Sequence, residues 1–187
     1  MWINTYTGKT IHLDGPAAEL NCESIDIESI AHSLANQCRF VGHTSRFYSV
    51  AEHCWLASWF GKPSRAIFKL MHDSAEAFIG DISSPLKTLL PELKPIEQML
   101  QNQIYKTFDL EITEEDQKQI EEADNILLYL EAKRMLTTEH LELYRRTEKH
   151  PMLYVAFRFF TPVQAKKAFL NRFNTLMEMY KRGIDDI

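Results

Sequence analysis

Glycine and proline are scarce in this sequence, 6 and 7 of 187 residues, which leaves little room for a long flexible linker and points to ordered structure throughout. Cysteine is scarcer. Cys22, Cys38 and Cys54 are odd in number and form no C-x-x-C pair, so neither a disulfide framework nor a thiolate metal knot is indicated, and a reducing compartment fits. No long run of lysine and arginine occurs, and 21 basic against 26 acidic residues give a formal net charge of -5. A protein that coats nucleic acid is therefore disfavoured. A small anionic substrate remains open, because one or two cations in a cleft can hold it whatever the global charge. Long apolar runs are missing too. The opening MWINTYTGKTIHL carries no basic leader followed by an apolar core, so the expectation is a cytoplasmic protein with no membrane partner.

What the chain does contain is an ordinary globular balance, 45% hydrophobic and 25% charged, long enough for one domain with a substantial core. We expect a single all-α domain over residues 1–187, with a small N-terminal hairpin. Trp2 to Tyr6 and Thr10 to Leu13 alternate on either side of Thr7-Gly8-Lys9. Helical periodicity follows. Asp26 is placed to cap a helix through Asn36, Arg39 to Arg46 reads as a loop, and Ser49 to Phe60 as a helix ended by Gly61-Lys62-Pro63. Ser64 is a cap for the next helix, running to Ile79. Residues 80–91 are rich in turn formers, and a helix over 95–108 comes next. Thr113 and Asp116 form a capping-box pattern before a long helix, and Thr161-Pro162 opens the last one, about 161–182.

Three of the apolar stripes contain an ionisable residue. His53 lies with Val50, Cys54 and Ala57; His72 with Phe68, Met71, Ala75 and Ile79; Asp124 with Ile120, Ala123, Leu127 and Leu128. Burying such groups separately costs several kcal/mol apiece, of the order that pairing or coordination offsets. A shared metal satisfies them together. With Asp73 next to His72, the set is two imidazoles and two carboxylates, which suits Mn²⁺, Fe²⁺, Co²⁺, Ni²⁺ or Zn²⁺ better than Ca²⁺. An isolated His-Asp pair would be a weak signal, and His72 alone would pass for a hydrogen-bonded core histidine; the flanking His53 and Asp124 strengthen the metal reading.

In this order, H then HD then D, the sequence resembles the HD-domain superfamily of metal-dependent phosphohydrolases. The runs CRFVGH at 38–43, FYSVAEH at 47–53, MHDSAEAFIGDISSPLK at 71–87 and EADNILL at 122–128 carry the resemblance. They look like the small bacterial and phage members, 5'-deoxynucleotidases and dATP triphosphohydrolases. The likeness covers most of 27–134, with a weaker echo in AFLNRFN at 168–174. It implies a helical bundle, with a core of about 26–135, around one divalent metal (Co, Mn or Zn, with Mg a further candidate). The implied metal ligands are His53, His72, Asp73 and Asp124.

The same resemblance makes Glu76 and Asp81 the residues that orient or deprotonate the attacking water. The spacing supports Glu76, one turn beyond His72; as bland alternatives, Glu76 is a solvated surface glutamate and Asp81 a turn cap. Arg39 matches the position that grips phosphate, and Lys87 is a second candidate. Phe40 stands between base stacking and core packing, Tyr48 is read as core, and His43 as a loop residue near substrate. His12, His32, His140 and His150 lack metal-ligand spacing and are read as structural.

The implied activity is hydrolysis of deoxynucleotides, leaning to a dNTP triphosphohydrolase that releases deoxynucleoside and triphosphate. A 5'-deoxynucleotidase acting on dNMPs is the alternative, and a non-catalytic nucleotide-sensing module is the alternative of another class. Phe157, Phe159 and Phe160, together with the resemblance, suggest a homo-oligomer, a dimer or higher.

Overall fold

The Thr7-Gly8-Lys9 turn closes a short antiparallel pair, β1 (Trp2–Asn4) and β2 (Thr10–His12), in register Trp2 to His12 and Asn4 to Thr10. This is a computed structural model, and it describes residues 2–12, 22–145 and 156–183. Asp26 is one of several side chains that tie the hairpin to the helices. Asp26 caps α1 (Ile27–Asn36) by accepting from the Ser29 amide at 2.8 Å, and accepts from the Thr7 hydroxyl at 2.6 Å.

The rest is mostly helical: α2 (Val50–Ala57), α3 (Ala66–Met71), α4 (Glu76–Ile79), α5 (Ser84–Leu89), α6 (Leu93–Thr107), α7 (Glu114–Met135) and α8 (Pro162–Arg182). Ser49 caps α2; a capping box opens α7 at Thr113, as its sequence pattern predicts, and another opens α8 at Thr161, where Pro162 takes the expected first helical position. One main core joins α1, α2, α3, α6 and α8 through Ile30, Leu34, Val50, Phe68, Leu100 and Phe169. A smaller one sits between α2 and α7 and holds Tyr48, Leu56, Leu127 and Met135. Among the described residues no helix is long and apolar enough to cross a membrane.

Three local expectations change. Ser64 does not cap α3; residues 63–65 form a short 3₁₀ turn, and Arg65 precedes the helix without a side-chain cap. The helix expected to run through Ile79 tightens after Met71, where Ser74, Glu76 and Ala77 bond back three residues instead of four. Residues 84–89 of the turn-rich stretch are helical, because Pro85 sits in the first turn, where its missing N–H costs nothing. His12 is exposed, His32 stacks on Tyr6 at 3.8 Å, and His140 faces Glu142. His150 lies outside the described residues.

Candidate metal centre

His53 leaves α2 fully buried, and the tightened turn after α3 delivers His72 and Asp73 beside it. The turn matters because neighbouring positions on a regular helix point about 100° apart. His53 Nε2 lies 3.2 Å from His72 Nε2 and 3.6 Å from Asp73 Oδ2, and His72 Nε2 lies 3.2 Å from Asp73 Oδ2. These three residues form a group able to hold a metal ion. Asp124 arrives from α7 with Oδ1 3.2 Å from His53 Nε2. Ligands about 2.1 Å from one ion stand roughly 3.0 Å apart at right angles and roughly 3.4 Å apart at tetrahedral angles; three of the four separations, at 3.2 Å, fall in that range, and the His53–Asp73 separation of 3.6 Å is slightly wider.

The protons on the two imidazoles make the case sharper. His53 Nδ1 donates to Glu131 Oε1 at 2.6 Å, and His72 Nδ1 donates to the Lys69 carbonyl at 2.8 Å. A carboxylate and a carbonyl only accept, so each ring spends its Nδ1 proton outward and turns Nε2 inward. Two Nε2 atoms and the Asp73 carboxylate thus face one another, with Asp124 against His53, an arrangement that favours a positive charge between them. Such outward hydrogen bonds are what orients metal-binding histidines. The residues fit a divalent ion with nitrogen and oxygen ligands.

Around this group the sequence-derived candidates fall as follows. Glu76 is buried; its Oε1 accepts from Lys87 Nζ at 3.1 Å, and its Oε2 has no partner. Lys87 also reaches Glu97 at 2.7 Å, so its charge is shared between two carboxylates. Arg39 is buried, with Nε 3.1 Å from Glu131 Oε2 and a terminal nitrogen 3.7 Å from Asp73 Oδ2. Asp81 follows Gly80, whose φ of 87° turns the chain out of α4. Phe40 is half-buried beside Arg39, edge-on to Tyr144 at 6.1 Å, and Tyr48 is core. The His43 side chain is exposed, and its backbone N–H bonds to the Phe40 carbonyl.

Charge follows from this packing. Burial pushes the Asp73 carboxyl up, but His72, His53 and Arg39 outweigh it and hold the group well below the usual carboxylate range. Burial also pushes Asp124 up, and His53 and His72 bring it down to about 2. Glu76 goes the other way. Burial, with Asp73 and Asp81 close by, raises it to about 8 against the pull of Lys87 and Arg39. Asp81 is likewise raised, by burial first and then by Asp73. The site therefore separates its carboxylates into a lowered pair, Asp73 and Asp124, and a raised pair, Glu76 and Asp81.

Sequence reasoning missed three residues. Glu131 is fully buried and accepts from His53, Arg39 and Tyr48. Its one signal is its place seven residues after Asp124, on the same helix face. Gln37 donates to the Glu76 carbonyl at 3.0 Å and accepts from the Asp81 amide at 3.0 Å, bracing both ends of α4. Glu52, beside His53, accepts from three successive amides, Arg158, Phe159 and Phe160, at 2.7–2.8 Å.

No family model matches the chain. It is similar to the uncharacterized protein YfdR of Escherichia coli (strain K12), 35% identical over 185 residues that cover 96% of this chain and 98% of that protein. It is also similar to an uncharacterized protein of Rhodobacter capsulatus, 28% identical over 191 residues that cover 94% and 95% of the two chains.

Proposed function

Taking as premise that the chain belongs to the family of the Escherichia coli protein YfdR, we propose that it is a metal-dependent nucleotide phosphohydrolase of the HD type. The observation that carries this reading is the facing pair of imidazole Nε2 atoms, with Asp73 and Asp124 beside them and the unpartnered Glu76 Oε2 nearby. A divalent ion bound by His53, His72, Asp73 and Asp124 would supply Lewis acidity, neutralising phosphate charge and easing deprotonation of water.

Glu76 is the proton acceptor in this reading. Its Oε2 is buried and without a partner, so it is the atom free to receive the proton. Asp81 orients the same water. Arg39 keeps its Nε on Glu131 and offers its terminal nitrogens to a phosphate oxygen, and Phe40 flanks it with an aromatic face. Direct attack by water on phosphorus is the route we infer.

The bond cleaved separates two branches. The runs CRFVGH and GDISSPLK favour a dNTP triphosphohydrolase. Among the described residues, the lysine and arginine that act most on Glu76 and Asp81 are Lys87 and Arg39, and both already face carboxylates, which supports the 5'-deoxynucleotidase as the alternative.

The test is to strip the protein of metal, restore Co²⁺, Mn²⁺, Zn²⁺ or Mg²⁺ singly, and separate products from a panel of deoxy- and ribonucleoside mono- and triphosphates. We expect metal-dependent release of nucleoside with phosphate or triphosphate, lost in Asp73→Ala. Nucleotide binding without turnover under every metal would refute the hydrolase and favour the sensing module.

A further inference from the structure

Resting on the metal-dependent reading above, we propose that Glu131 is a positioning residue: it fixes His53 as a ligand through Nε2 and holds the Arg39 guanidinium beside the same centre. Glu131 projects from α7 seven residues after Asp124, two helical turns along the same face, and is fully buried. Its two oxygens serve three donors. Oε1 accepts from His53 Nδ1 at 2.6 Å and from the Tyr48 hydroxyl at 2.7 Å, and Oε2 accepts from Arg39 Nε at 3.1 Å.

A carboxylate cannot donate, so it dictates the tautomer of His53: the proton stays on Nδ1 and the lone pair stays on Nε2, facing His72, Asp73 and Asp124. By engaging the Nε of Arg39, it leaves the terminal nitrogens to point onward, one of them 3.7 Å from Asp73 Oδ2. One side chain thereby ties the candidate metal ligand to the candidate phosphate grip. Packing alone would not demand it, since a buried carboxylate is costly unless its partners require the charge.

Glutamine is the informative substitution, because its amide has one acceptor and one donor end. With the oxygen toward His53 and Tyr48, the NH₂ opposes Arg39 Nε–H. With the amide flipped, the NH₂ faces His53 Nδ1 and drives the ring to the tautomer whose Nε2 carries the proton and cannot ligate. Either orientation breaks one half of the arrangement.

Metal binding is measured by titration of stripped protein with Co²⁺, reading heat and the visible absorption of the cobalt, with circular dichroism as the control for folding. We expect Glu131→Gln to weaken Co²⁺ binding by about 10–100-fold and to change the cobalt spectrum. A folded Glu131→Gln protein with unchanged affinity overturns the role of Glu131 and leaves the hydrolase reading standing. Wild-type protein that binds no divalent metal overturns both. Should Glu131→Gln not fold, imidazole ¹⁵N spectra of the wild-type zinc-loaded protein decide: a slowly exchanging proton on His53 Nδ1 supports the proposal, and a proton on Nε2 overturns it.

Discussion

Replacing Glu52 by glutamine tests how the segment before α8 is held. The carboxylate is fully buried and takes the Arg158 and Phe159 amides on Oε1, both at 2.8 Å, and the Phe160 amide on Oε2 at 2.7 Å. Glutamine can keep its oxygen toward the first two amides, but its NH₂ then confronts the third. An unsatisfied buried donor costs about 1–3 kcal/mol, and the two surviving bonds lose their charge assistance, roughly half their strength. Part of this is returned, because burial strains the ionised carboxylate and raises its pKa, with Glu131 adding to the effect. The net loss is about 2–3 kcal/mol; with a urea slope of about 2–3 kcal/mol/M, the unfolding midpoint falls by roughly 1 M. Urea denaturation followed by circular dichroism measures it, with hydrogen exchange of the three amides as the local readout. A change below about 0.5 kcal/mol, the size of an ordinary surface substitution, would refute the anchoring role.

On the proposed role of Glu76 as proton acceptor and not ligand, Glu76→Gln should lower turnover by about 10²–10⁴-fold while Co²⁺ affinity stays near wild type; equal loss of both would make it a ligand. Asp116 is pushed up by burial but brought below its usual range by Arg65 and Thr113. Its contribution is therefore complete above an unfolded pKa of about 3.9 and lost as pH falls through the lower folded value, so Asp116→Asn should flatten the acid limb of stability against pH. An unchanged limb in thermal melts would refute this. Val41 has φ 54° with 66% of its surface exposed, so Val41→Gly should relieve about 1 kcal/mol of left-handed strain, offset in part by a more flexible unfolded chain. A lowered melting temperature would contradict that.

The helical elements and the metal-ligand candidates were legible because they repeat. His53 and Asp124 each stand in an apolar stripe, and periodicity alone assigns them an inward face. Glu131 obeys the same period, yet it sits in a helix with Glu114, Glu115, Glu121 and Glu122, and composition does not distinguish the buried glutamate from solvated ones. The tightened turn at 72–75 was hidden because MHDSAEAF contains neither glycine nor proline. The left-handed pair Phe40 and Val41, φ 54° each, was hidden for a further reason: neither residue favours that conformation. The pairing of Cys38 with Ser49, the Arg39 amide bond to the Tyr48 carbonyl and the Ser45 amide bond to the Met135 carbonyl impose it from outside the turn.

Glu52 and His53 are consecutive residues, and each is fastened to a different part of the chain, one to the amides leading into α8 and the other to Glu131 on α7. That makes the rotational setting of α2 a fixed quantity. A single inserted or deleted residue between the Ser49 cap and His53 would turn the helix beyond it by about 100° and misalign both attachments at once. The short stretch from Ser49 to His53 should therefore tolerate changes of side chain on its remaining faces far better than any change of length.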